Sequence, residues 1–97
     1  MMFVLVNGDS VTLEEVEDLK RLHVELRTPA TDAELGELLQ ANGFGYADER
    51  GFFVDLARIR ARSTDLEGVE KMVDYARGKG WLSADGTALE AHVERRY

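Results

Sequence analysis

A chain of 97 residues, 44% apolar and 32% charged with a single proline, has the size and composition of one globular domain with one core. It has no cysteine, which excludes disulfides, thiolate nucleophiles, thiol redox chemistry and cysteine-zinc sites. The net charge of −7 is lopsided: residues 1–49 hold eleven acidic side chains against three basic ones, and residues 50–97 hold eight against nine. An acidic half of this kind repels phosphate backbones and attracts basic partners.

The apolar opening, residues 1–6, is too short for a signal segment or a membrane span and lacks a basic flank, so the expected location is the cytoplasm. Within it Phe3-Val4-Leu5-Val6 is a β-prone run closed by Asn7-Gly8-Asp9, which predicts a buried strand ending in a turn. Asn7-Gly8 is also compatible with a hairpin into Ser10-Val11, but the signals that follow favour a helix. Three segments share a capping-box pattern, a threonine followed three residues later by glutamate: Thr12 with Glu15, Thr31 with Glu34, and Thr64 with Glu67. The pattern predicts three helices, because each pair can satisfy free N–H groups at a helix start.

In the first predicted helix Val16, Leu19, Leu22 and Leu26 form the apolar side, opposite Glu14, Glu17, Asp18, Arg21 and Glu25, and Pro29 stops extension. In the second, Leu35, Leu38 and Leu39 form the stripe and Gly43 stands where a left-handed cap is wanted. Phe44-Gly45-Tyr46 and Phe52-Phe53-Val54, flanking Asp48-Glu49-Arg50-Gly51, predict a hairpin. Residues 55–62 fit a strand or a helix, and the short helix is preferred. The third helix carries Leu66, Val69, Met72, Val73 and Ala76, with Gly78 or Gly80 ending it. Trp81-Leu82, Asp85-Gly86 and residues 89–93 then read as strand, turn and strand. The expected architecture is a single compact α+β domain over residues 1–97, three main helices packed on a small, largely antiparallel sheet. Its first and last strands are candidate neighbours.

Helix, helix, hairpin and helix is also the order of a winged-helix DNA binder. Asp32, Glu34 and Glu37 on the exposed side of the second helix argue against direct DNA binding. Arg58, Arg60 and Arg62 would form a patch for an anion only on a strand, where all three share a face; otherwise they serve surface ion pairs. On a strand, Glu90, His92 and Glu94 would line one face, an arrangement compatible with a metal but more simply a solvated ladder. His23 reads as a half-buried helix residue. No metal, cofactor or catalytic residue is assigned, since no nucleophile elbow, P-loop or dinucleotide fingerprint is present. Phe52-Phe53 is the unusual aromatic pair, because adjacent strand residues face opposite ways and, if both are extended, one of them needs a second layer, a partner chain or a ligand; shared packing of both under the helices is the preferred reading.

The functional expectation is a noncatalytic protein-interaction or regulatory module, docking a protein with a basic surface through Glu14, Glu17, Asp18, Asp32, Glu34 and Glu37. One alternative is an acidic decoy that inhibits a nucleic-acid-binding protein. Another is a small-molecule-binding protein or enzyme with a pocket between sheet and helices. Membrane association is not expected, and self-association through an uncovered sheet edge is compatible with each reading.

Overall fold

In the computed structural model, which describes residues 1–19 and 21–97, the elements follow the chain as β1 (Met2–Asn7), β2 (Ser10–Glu14), β3 (Leu22–Leu26), α1 (Asp32–Ala41), β4 (Gly45–Asp48), β5 (Gly51–Asp55), α2 (Leu56–Arg62), α3 (Leu66–Lys79) and β6 (Ala88–Arg95). The strands form one curled, six-stranded mixed sheet in the order β2-β1-β3-β6-β5-β4. β1 pairs antiparallel with β2 and parallel with β3, and β3 pairs parallel with β6. β5 pairs antiparallel with both β4 and β6. Among the described residues no helix is long and apolar enough to cross a membrane.

The strand β6 carries the curl. Residues 88–91 pair with β5, and residues 92–95 pair with β3 on the other edge. On that second edge the segment after α3 takes the place that β3 has not yet reached: Leu82 bridges Leu89, and Glu90 N–H donates to the Trp81 carbonyl at 2.7 Å.

Period-two alternation sends one set of side chains from each strand to a common face. Met2, Val4, Val6, Val11, Leu13, Val24, Leu26, Val54, Leu89 and Ala91 meet there in one buried cluster. The buried apolar residues of all three helices join it: Leu35 and Leu39 of α1, Leu56 and Ile59 of α2, Val69, Val73 and Ala76 of α3. Burying each large aliphatic side chain contributes about 1.5–3 kcal/mol, so this cluster dominates the fold. α1 begins with the predicted capping box, in which Glu34 N–H donates to Thr31 Oγ1 at 3.1 Å and Thr31 N–H donates to Glu34 Oε1 at 2.8 Å. Its Gly36 lies so close to β4 that an added Cβ would stand 2.9 Å from the Ala47 Cβ.

The structure corrects the expected fold class. The sheet is neither small nor largely antiparallel, and the helices do not lie as a layer on such a sheet: six strands in mixed orientation wrap the helices' apolar sides. The first predicted helix does not exist. Ser10–Glu14 and Leu22–Leu26 are strands, and Glu15, the expected capping glutamate, sits at a φ of 52° in the turn after β2. The Asn7-Gly8 hairpin forms instead, with Gly8 at a φ of 62° in a two-residue loop. β1 and β6 are not neighbours, because β3 lies between them. The third capping box is shifted by one residue: Asp65, not Thr64, accepts the Gly68 N–H at 2.9 Å. The hairpin over β4 and β5, the short helix α2, and Gly80 as the left-handed terminator of α3 follow the sequence expectation.

Candidate functional site

Two places in the fold gather chemistry. The first is a groove of about 1020 Å³ across β6, at the point where its pairing passes from β5 to β3. Leu89, Ala91 and Val93 floor it. Leu19 and Leu22 on the approach to β3 form one wall, and Met72, Tyr75 and Trp81 at the end of α3 form the other. The gap exists because β3 starts too late to pair with the first half of β6, while the Trp81-Leu82 segment covers only part of the vacated edge.

Charged residues stand at the groove's rim, and most are already engaged. Arg50 donates to the carbonyls of Leu82 and Gly80 and to Glu90 at 3.0–3.1 Å. Arg95 donates to the Ala30 carbonyl and pairs with Asp32 at the start of α1. Arg21 differs: its guanidinium makes no hydrogen bond or ion pair with a described residue. Among the described residues, the apolar trough therefore ends at an uncompensated cation.

The second place is the opposite face of the sheet. Parallel register sets His23 of β3 against His92 of β6, and Glu25 against Glu94. Residues two apart on a strand share a face, so the four side chains form a square. The His23 ring, 2% exposed, lies between the Phe3 ring at 5.2 Å and the His92 ring at 5.6 Å. Its Nε2 is 3.2 Å from Glu94 Oε2 and 3.6 Å from Glu25 Oε1, yet neither ring nitrogen makes a hydrogen bond. His23, Glu25 and Glu94 each offer one ligand atom within 4.8 Å of the others.

Arginines flank both carboxylates. Arg96 holds Glu94 at 3.1 Å and approaches Glu25 at 3.6 Å, and Arg27 binds the second oxygen of Glu25. Burial pushes the Glu25 carboxyl up, but the hydrogen bond and charge of Arg27, with His23 close by and the charge of Arg96, outweigh it and hold the group below the ordinary carboxylate value. The Arg96 hydrogen bond leads the downward shift of Glu94.

The acidic residues expected to share a docking face are scattered. Glu14 ends β2, and Glu17 and Asp18 lie in the turn region beyond it, so they share no helix face. Glu17 accepts from Thr64 Oγ1 at 2.9 Å, Asp18 binds the Met1 ammonium, Asp32 pairs with Arg95 and Glu34 serves the capping box. Among the described residues only Glu14 and Glu37 of the six have side chains without such a bond. Arg58, Arg60 and Arg62 lie on α2, which disperses them. Arg58 donates to the Gly43 and Asn42 carbonyls and covers the Phe44 ring at 4.7 Å, while Arg60 pairs with Glu70 at 2.9 Å.

In the sequence both histidines look isolated, and in the fold both have partners. The link is the β3–β6 register, which no local pattern reveals. The signal that was present is the alternation Leu22-His23-Val24-Glu25-Leu26, a mirror of Ala91-His92-Val93-Glu94. Phe52 and Phe53 do not share packing under the helices: Phe52 turns to the core side, and Phe53, 0% exposed on the other face, stacks on Tyr46 at 5.2 Å beneath the Arg50 guanidinium. No protein family, curated protein or solved structure matches the chain.

Proposed function

We propose that the protein is a noncatalytic binding domain for a small amphipathic anion, an apolar body carrying an acid head group, taken up in the groove across β6. One observation carries the reading: the apolar trough ends at Arg21, whose charge no described residue offsets. The groove's 1020 Å³ lies at the upper end of small-molecule sites, roughly 300–1000 Å³. Leu19, Leu22, Met72 and Val93 would shed water against the ligand body. A guanidinium at the mouth would give its acid head a charge-assisted, two-pronged hydrogen bond. The surplus of acidic side chains elsewhere would disfavour polyanions while leaving a single carboxylate acceptable.

Trp81, the only tryptophan, lines the groove and reports on its contents. Medium-chain fatty acids titrated into the protein should shift its emission saturably to shorter wavelength, and the matched methyl esters should bind more weakly. Arg21→Ala should weaken acid binding about tenfold and leave ester binding unchanged. Equal affinity for acids and esters, or no saturable change, would overturn the reading.

A further inference from the structure

We infer that His23, Glu25 and Glu94 form a binding site for one divalent transition-metal ion of the zinc and cobalt type, on the sheet face opposite the helices. The site is separate from the groove reading and rests on different residues.

His23 is an imidazole out of place. It is 2% exposed, clasped between two rings, and both its nitrogens lack a hydrogen bond. Leaving a buried polar group unsatisfied is unfavourable by about 1–3 kcal/mol, and such a group demands a partner. Its Nε2 points between two carboxylates, one of them 7% exposed.

Distances decide which partner fits. Ligand bonds of about 2.0–2.2 Å to nitrogen and oxygen put adjacent ligand atoms about 3.0 Å apart at octahedral angles and about 3.4 Å apart at tetrahedral ones. Nε2 lies 3.2 Å from Glu94 Oε2 and 3.6 Å from Glu25 Oε1, so each carboxylate stands within a few tenths of an ångström of ligand spacing from the imidazole, and all three ligand atoms lie within 4.8 Å of one another, which rotation of the Glu94 side chain can close around one ion. An imidazole with two carboxylates suits borderline divalent ions, whereas calcium and magnesium prefer oxygen alone. Three protein ligands leave an open position for water.

The surroundings are those of a supported site. His92 Nε2 meets Glu94 Oε1, the oxygen turned away from His23, at 3.4 Å and steadies the carboxylate, whereas Arg96 lies 3.1 Å from Oε2, the oxygen that faces His23, and must give way to a bound ion. Arg27 occupies the Glu25 oxygen that faces away from Nε2, and Oε1 is shared between His23 and Arg96, each at 3.6 Å. The same arginines compete with a cation for the carboxylates, so binding is weaker than in an all-histidine or thiolate cage.

The test uses untagged, chelator-stripped protein at neutral pH. Zinc alone, titrated by calorimetry, should bind one equivalent, and cobalt should compete for the same site. Glu94→Gln keeps shape and removes a partly exposed charge, so the fold, checked by circular dichroism, should persist while zinc affinity falls at least tenfold. Glu37→Gln, on α1, should leave it unchanged. Nitrogen NMR of the histidine rings should show zinc moving the Nε2 resonance of His23. Binding that survives Glu94→Gln at full strength, absence of one-to-one binding, or a His23 ring whose resonances are indifferent to zinc would each overturn the site.

Discussion

The two faces of the sheet shield themselves by different physics. On the helix side, aliphatic residues such as Val4, Val24 and Leu26 are removed from water by a second layer of structure, and cohesion comes from nondirectional burial. On the other side no described helix contributes a buried apolar residue, and the strand side chains cover one another. Phe3, His23 and His92 stack in a row along the register, Tyr46 stacks on Phe53, and arginines close over the glutamates and over Phe53. An open sheet face can thus bury His23, Glu25 and Phe53 without a covering layer, provided its residues are planar, polar at their edges and matched across strands. The difference predicts that the helix side governs stability and the open side governs sensitivity to conditions.

The largest expected effect lies on the helix side. Leu26→Ala removes a fully buried side chain and should lower unfolding free energy by about 3 kcal/mol, read as a fall in the urea midpoint at constant slope. A loss below about 1 kcal/mol would mean that burial in the core cluster does not govern stability. On the open face Arg50→Ala uncovers the Phe53 ring and frees two carbonyls. It should be unfavourable by about 1 kcal/mol, and Arg50→Lys should recover little, since one ammonium cannot reproduce the fork.

The smallest effect concerns pH. Glu25, facing His23, Arg27, Arg96 and the paired Glu94, has its carboxyl held below the ordinary value near 4.5. Its contribution is therefore fully present above that pH and lost as acidification passes through the lower folded value. Metal-free Glu25→Gln should show a shallower fall in melting temperature below pH 4.5 than the parent. Identical acid profiles would locate the sensitivity elsewhere.

Between Thr31 and Gly80 the elements were legible in the sequence except over residues 55–62, where helix and strand both fitted, because the others rest on local chemistry: a capping box, a glycine able to take positive φ, a hairpin between aromatic runs. Between Ser10 and Leu26 the same rule failed. Thr12 and Glu15 match a capping box in type and spacing, and Leu19, Leu22 and Leu26 match a helical stripe, but the stripe omits Val24. Val11-Thr12-Leu13 and Leu22-His23-Val24-Glu25-Leu26 alternate with period two, and burial on one sheet face outweighed helix signals. The groove and the histidine square were not legible for a different reason. Both are created by β6 meeting β3, a pairing between distant segments whose register only the folded chain specifies.

That pairing also sets an order of events during synthesis. β6 joins the β1–β3 part of the sheet to the β4–β5 part, and among the described residues no other strand pairs with both. Until residue 95 has cleared the ribosome, β3 exposes an unpaired edge and His23 has no neighbour on that side. The nascent chain must therefore carry an open parallel edge while the intervening residues are made, a template for wrong partners. Closure by β6 is then a single late step that ends this vulnerability and assembles the groove and the histidine square together.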